Sequence, residues 1–235
     1  MIILAFDSTA RAASCAVLDG EKCLALYTID NGLTQSELLL PMAENMLAAL
    51  KMSFSDVDLF AASTGPGSFT GVRIGVSLIK GLAFGTDKPC ASVSTIEALV
   101  ENLRPLDGIL LPCMDARRSQ VYTATFLSKG GEMKRLTEDR AIALSELAEE
   151  LKAYEDTPIY LSGDGYEVAK KALTGYGVKI KETPSLLVIE NAYSVGLVAK
   201  RMYERGETVS DREIAPTYLR LPQAERERLE RENAK

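Results

Sequence analysis

Met1-Ile2-Ile3-Leu4-Ala5-Phe6-Asp7-Ser8-Thr9 opens the chain, and Ile109-Leu110-Leu111-Pro112-Cys113-Met114-Asp115 stands near its middle. Both are short apolar runs halted by an aspartate, the pattern of a buried strand meeting a polar turn. After the first, alternating stretches at 14–18 and 22–28 flank Asp19-Gly20, a strong hairpin signal. The pattern then predicts a helix at about 35–51, a strand at 58–64, a helix at 70–85, a strand near 90–93 and a helix near 95–103. After Asp115 the order begins again. Residues 120–127 alternate as one strand, turn at Gly130-Gly131 and return through about 133–138. A helix at 145–154, a strand at 158–162, a helix at 165–173, a strand at 178–180 and a long helix at 191–205 follow. A Gly-x-Gly follows the fourth strand of each half, as Gly65-Pro66-Gly67 and Gly163-Asp164-Gly165.

Self-similarity without identity points to a duplicated domain. The expected fold class is α/β, with two βββαβα-type halves on the duplicated RNase H-like, actin-like ATPase (ASKHA) plan, whose cleft lies between the halves. That analogy concerns fold and does not fix function. Residues 1–104 form the expected first half, joined by the helix at 191–206, and residues 105–190 form a smaller second half. The string of Glu and Arg at 223–235 reads as a solvated tail.

Composition narrows the function classes. The chain has 235 residues, a formal net charge of −6 and no histidine. The acidity argues against holding nucleic acid alone, because nucleic-acid affinity comes mostly from neutralised phosphates. Without histidine there is no Ser-His or Cys-His pair and no HExxH metal site. No apolar run nears the ~20 residues of a membrane span. Cys15, Cys23, Cys90 and Cys113 lack CxxC spacing and read as free thiols, so a cytoplasmic location is expected.

Two places could carry chemistry. Asp7-Ser8-Thr9 could hold a metal-bound water and present a turn to phosphate, or it could merely terminate a strand. Its counterpart, Asp115-Ala116-Arg117-Arg118, has bulky arginines where a phosphate loop needs small residues. Asp7, Ser8, Thr9, Asp115, Arg117 and Arg118 are therefore candidates for a vestigial nucleotide or anion cleft.

Two helices point instead to a partner. Thr34-Gln35-Ser36-Glu37 has the form of a capping box, yet Pro41 follows closely, so a kink or a later helix start is expected. Leu38, Leu39, Met42 and Met46 lie on one stripe of that helix, which could be core or a docking face. Ser63-Thr64-Gly65-Pro66-Gly67-Ser68-Phe69-Thr70-Gly71-Val72-Arg73-Ile74-Gly75 lacks a P-loop lysine. It reads as a strand, a tight turn and a helix capped near Ser68 or Thr70. Gly71, Gly75, Gly81 and Gly85 in or beside this helix suggest close approach of another element, because helical glycine costs about 1 kcal/mol each.

These residues together resemble the bacterial TsaB (YeaZ-type) family. Leu33-Thr34-Gln35-Ser36-Glu37-Leu38-Leu39-Leu40-Pro41 is similar to its LTHSE-LLP start, with Gln35 where relatives often have histidine. Residues 65–75 are similar to its GPGSFTGLRIG signature, and Asp115-Ala116-Arg117-Arg118 with Val121-Tyr122 to its second-half motif. Pro216-Thr217-Tyr218-Leu219-Arg220 with Gln223-Ala224 resembles its C-terminal end, so the likeness runs over about 1–224.

The resemblance implies a non-catalytic, cytoplasmic subunit that pairs with the transferase TsaD and with the ATPase TsaE. The product is N6-threonylcarbamoyladenosine at position 37 of tRNAs reading ANN codons, with tRNA met only through the complex. It implies a homodimer through the first two helices, which competes with TsaD. On those two helices the residue pattern points to Leu38, Leu39, Met42, Met46, Gly71, Arg73, Ile74, Gly75 and Leu78 as interface residues. No catalytic residue, metal or cofactor of its own is implied, and ATP or ADP with Mg enters only at the level of the complex. The alternative is an ATP-binding or ATP-hydrolysing protein that acts through its own interdomain cleft. A peptidase, a label attached to relatives of this fold, lacks any convincing catalytic pairing here.

Overall fold

The computed structural model describes residues 1–220; the charged tail at 223–235 lies outside the described residues. β1 (Ile2–Asp7), β2 (Ala13–Asp19) and β3 (Lys22–Ile29) form an antiparallel meander. α1 (Gln35–Ala49) leads to β4 (Leu59–Gly65), which pairs with β1 in parallel. α2 (Phe69–Ala83) and β5 (Cys90–Ser94) complete a sheet of order β3-β2-β1-β4-β5. α3 (Thr95–Leu103) then crosses to the second half.

There β6 (Gly108–Asp115) takes the place of β1. The single alternating strand expected at 120–127 is instead two, β7 (Gln120–Thr123) and β8 (Phe126–Lys129). Both lie antiparallel to β6, β8 along its start and β7 along its end. Ala124 and Thr125 sit between them. Thr125 turns its N–H to the Thr137 hydroxyl at 2.8 Å instead of into the ladder, so alternation continues in sequence while pairing breaks. β9 (Glu132–Arg135) pairs with β8, and β10 (Arg140–Ala143) with β7, so the third strand is split as well. After α4 (Leu144–Leu151), β11 (Ile159–Ser162) joins β6 in parallel, as β4 joins β1. α5 (Tyr166–Gly175) follows, but the strand expected at 178–180 reduces to one bridge between Ile180 and Ile159. The duplicated βββαβ topology is the actin-like plan.

The remaining helices join the halves. α6 (Ser185–Val188) is one turn, and α7 (Ala192–Glu204) returns to the first sheet. Its Val195, Val198 and Ala199 pack on Ile3, Ala5, Ala16 and Leu18. α1 and α2 cover the opposite face through Leu39, Met42, Met46, Val72, Val76 and Ile79 over Leu4, Phe6 and Phe60. On the other side α3 lays Ile96, Leu99 and Leu103 against Leu110, Met114 and Phe126 of the second sheet. All four cysteines are free, and only Cys23 is exposed. Among the described residues no helix is long and apolar enough to cross a membrane.

Candidate functional site

The Asp7 turn is closed by its own chain. One carboxylate oxygen accepts the Thr9 N–H at 2.9 Å and the Thr9 hydroxyl at 2.8 Å. The other accepts the Ser63 hydroxyl at 2.5 Å. Asp7 is 2% exposed, and burial raises its carboxyl above the usual range although these bonds oppose that shift. The Ser8 hydroxyl donates to the Gly71 carbonyl at 2.8 Å.

The glycines of α2 are there for this turn. A Cβ on Gly71 would lie 1.9 Å from the Ser8 carbonyl oxygen, and one on Gly75 would lie 2.6 Å from the Ser8 hydroxyl. A Cβ on Gly67 would lie 2.5 Å from the Thr9 carbonyl oxygen. The close approach expected at α2 is real at Gly71 and Gly75, but the element approached is the Asp7-Ser8-Thr9 turn. Both glycines are buried, so they do not belong to a partner surface. Gly81 and Gly85 have open space around them. Ser68 is the N-cap, accepting the Gly71 N–H at 3.2 Å.

Between the halves lies a cleft of about 920 Å³. Asp115 and Arg117 line it, whereas Asp7, Ser8, Thr9 and Arg118 are not among its lining residues. Asp115 accepts the Arg117 N–H at 2.7 Å and pairs with its guanidinium at 3.2 Å. Arg117, Arg118 and Ser119 all have positive φ, at 64°, 54° and 57°. Left-handed backbone costs a side-chain-bearing residue about 1–2 kcal/mol. A turn filled with such residues lacks the room that lets backbone amides close on a phosphate, and the first-half turn is filled by α2. Among the described residues no group of three His, Cys, Asp or Glu could hold a metal ion.

Two carboxyls that the sequence reading missed lie under the cleft. The Asp164 carboxylate accepts the Asp115 N–H at 2.8 Å, and Glu190 accepts the Asp164 N–H at 2.8 Å. Burial pushes Asp164 up to about 6. Burial, and then the charges of Asp7 and Asp164, push Glu190 up to about 8. The sequence signal for Asp164 was its place inside the second Gly-x-Gly.

A second depression, of about 560 Å³, runs between α1 and α2. Ser36, Leu40, Phe69, Arg73, Ile74 and Leu78 are among its lining residues. Leu40 is 37% exposed, an apolar side chain left open beside Ile74 and Leu78. Leu39, Met42 and Met46 are at most 4% exposed, because their stripe faces the first sheet, chiefly β2, and α2. Their assignment to an interface is corrected accordingly: Leu39 forms only the groove floor, and Met42 and Met46 are core. Leu38, the other member of that stripe, is half-buried and packs against the same core. The capping box is also absent: the Thr34 side chain makes no cap bond and meets the Ser36 hydroxyl at 3.1 Å. α1 starts at Gln35 and runs through Pro41, so the later start did not occur. Gln35 donates to the Ala10 carbonyl at 2.8 Å, tying α1 to the turn after β1.

The family model described as "TsaD: tRNA N6-adenosine threonylcarbamoyltransferase" matches residues 34–228. The tRNA threonylcarbamoyladenosine biosynthesis protein TsaB of Bacillus subtilis is 30% identical, with 98% of this chain and 99% of that protein covered. TsaB of Escherichia coli is 28% identical over 94% of this chain and 95% of that one. The solved structure of YeaZ from Pseudomonas aeruginosa superposes with a TM-score of 0.72 at 25% identity, covering 93% of this chain and 99% of that chain. With its duplicated fold and this near full-length likeness, the chain belongs to the TsaB (YeaZ-type) family of tRNA threonylcarbamoyladenosine biosynthesis proteins.

Proposed function

We propose that the chain is a non-catalytic docking subunit, which binds a TsaD-type transferase through the groove between α1 and α2. In that role it supports N6-threonylcarbamoyladenosine formation at position 37 of tRNAs reading ANN codons, with TsaE as a further subunit. The carrying observation is the open apolar groove of Leu40, Ile74 and Leu78. The matched transferase model spans α1 and α2, so a TsaD-type partner has a related helix pair to set against them. The same surface serves a homodimer when that partner is missing. A net charge of −6 is consistent with tRNA being held by the rest of the complex. ATP or ADP with Mg belongs to the complex, because Asp7 has both carboxylate oxygens engaged by its own chain.

The test is Leu40→Asp with Leu78→Asp, mixed with the cognate transferase and followed by size-exclusion chromatography with light scattering. The wild-type chain forms a 1:1 complex. The double variant melts normally and loses at least about a hundredfold in affinity, as expected for two apolar anchors replaced by buried charges. A complex that survives the double change removes the groove from the reading. Saturable Mg-ATP binding by the isolated chain, lost in Asp7→Ala, would favour action through its own cleft.

A further inference from the structure

We infer that residues 217–220, which line the interdomain cleft, are a strap that backs the Phe69–Arg73 edge of the docking surface and couples it to the second half of the molecule. The strap starts at β4, where the Thr217 N–H donates to the Thr64 carbonyl at 2.7 Å. Gly65 makes room for it, since a Cβ there would lie 2.3 Å from the Thr217 carbonyl oxygen. One residue on, the Tyr218 ring stacks on Phe69 with centroids 4.7 Å apart and planes at 22°. Arg73 holds both: its guanidinium lies 3.9 Å from the Phe69 centroid, and its Nε donates to the Tyr218 hydroxyl at 2.9 Å. The strap ends in the second half. Arg220 donates to the Ala116 carbonyl at 3.3 Å and to the Gln120 side chain, with its guanidinium 5.5 Å from the Tyr122 ring.

Phe69 lines both the groove and the interdomain cleft, so the Phe69–Tyr218–Arg73 cluster separates the two spaces. Arg73 is exposed on the groove side, and Tyr218 is exposed toward the cleft. Whatever settles between Leu40 and Leu78 meets Arg73, and an acidic or carbonyl group there competes with the Tyr218 hydroxyl for its Nε–H. Tyr218 is two residues from Arg220, which holds both ends of the left-handed turn at Arg117–Ser119. A displaced Tyr218 therefore loosens that turn, and a loosened turn frees Tyr218. The coupling is reciprocal, as any linkage between two sites must be.

The inference rests on the groove being a docking surface, but its test needs no partner. Hydrogen exchange is followed in the full chain. In Arg73→Ala, amides at 116–123 exchange about fivefold faster, and in Arg220→Ala amides at 69–78 do so. Tyr218→Phe keeps the stack, loses the hydroxyl bond and gives a smaller rise at 116–123. If Arg73→Ala fails to fold, Arg73→Lys keeps the charge, loses the planar stack and is read in the same way. Faster exchange confined to the substituted end of the strap overturns the coupling. A wild-type chain that shows the cross-effect yet forms no complex with the transferase would overturn the docking reading alone.

Discussion

The turns after β1 and β6 occupy equivalent places, and the molecule treats them in opposite ways. In both halves a glycine from the fourth-strand turn presses on the end of the first strand. A Cβ on Gly67 would meet the Thr9 carbonyl oxygen at 2.5 Å, and one on Gly165 would meet that of Cys113 at 2.8 Å. The helices that follow then differ. α2 brings Gly71 and Gly75 to the turn, whereas α5 has Ala169 and Leu173 on its buried side. Asp7 accordingly sits sealed among three donors, while Asp115 opens onto the cleft beside Arg117. Duplication preserved the backbone frame and released the side chains to diverge, so one turn became packing and the other became surface.

Filling the space left by α2 breaks the first of these arrangements. Gly71→Ala sets a methyl against the Ser8 backbone, which cannot rotate away, and should lower the unfolding free energy by about 3 kcal/mol in urea titrations. An unchanged midpoint would show that the turn has slack. The second effect separates Asp7, with its three donors, from Glu190, which accepts one N–H from another residue. Folded Glu190 holds its proton up to about 8, against an ordinary value of 4.5. The folded state thus binds more protons across that window, and its stability falls as pH rises through it. Glu190→Gln removes this titration and should raise stability at pH 8 by roughly 3–4 kcal/mol more than at pH 5. Parallel pH profiles for variant and parent would refute the assignment. The smallest effect lies at the exposed turn: Arg118→Gly should stabilise by about 1 kcal/mol, because glycine takes φ of 54° without strain. A loss of stability there would mean that Arg118 has a contact beyond its backbone.

Much of the frame was legible in the sequence, and the reason is local. Runs such as Ile2–Asp7 and Gly108–Asp115 are buried on both faces, so apolar content alone marks them. The break between β7 and β8 was not legible, because Ala124 and Thr125 keep the alternation while the ladder lapses. Helical spacing placed Leu39, Met42 and Met46 on one stripe, but spacing does not say whether a stripe faces a sheet or a partner. The reason for Gly71 and Gly75 lies about sixty residues away in Ser8. The strap was visible only as a family likeness at Pro216–Arg220, since Phe69, Arg73 and Tyr218 meet only in three dimensions. Glu190 carries no local mark; Asp7 and Asp164, the charges that act on it, are brought beside it only by the fold.

The return of α7 to the first sheet bears on how the chain is made. Ile3, Ala5, Ala16 and Leu18 leave a ribosome well before the helix at Ala192–Glu204 that covers them. Gly196 sits against Leu18, where a Cβ would come within 2.5 Å of the leucine methyl. Until that helix emerges, one face of the first sheet is bare. The second half draws on local contacts and can close earlier, since β6 finds β7, β8 and β11 within a continuous stretch. The half synthesised first is therefore the half completed last, and its exposed sheet face must be kept from other chains throughout translation.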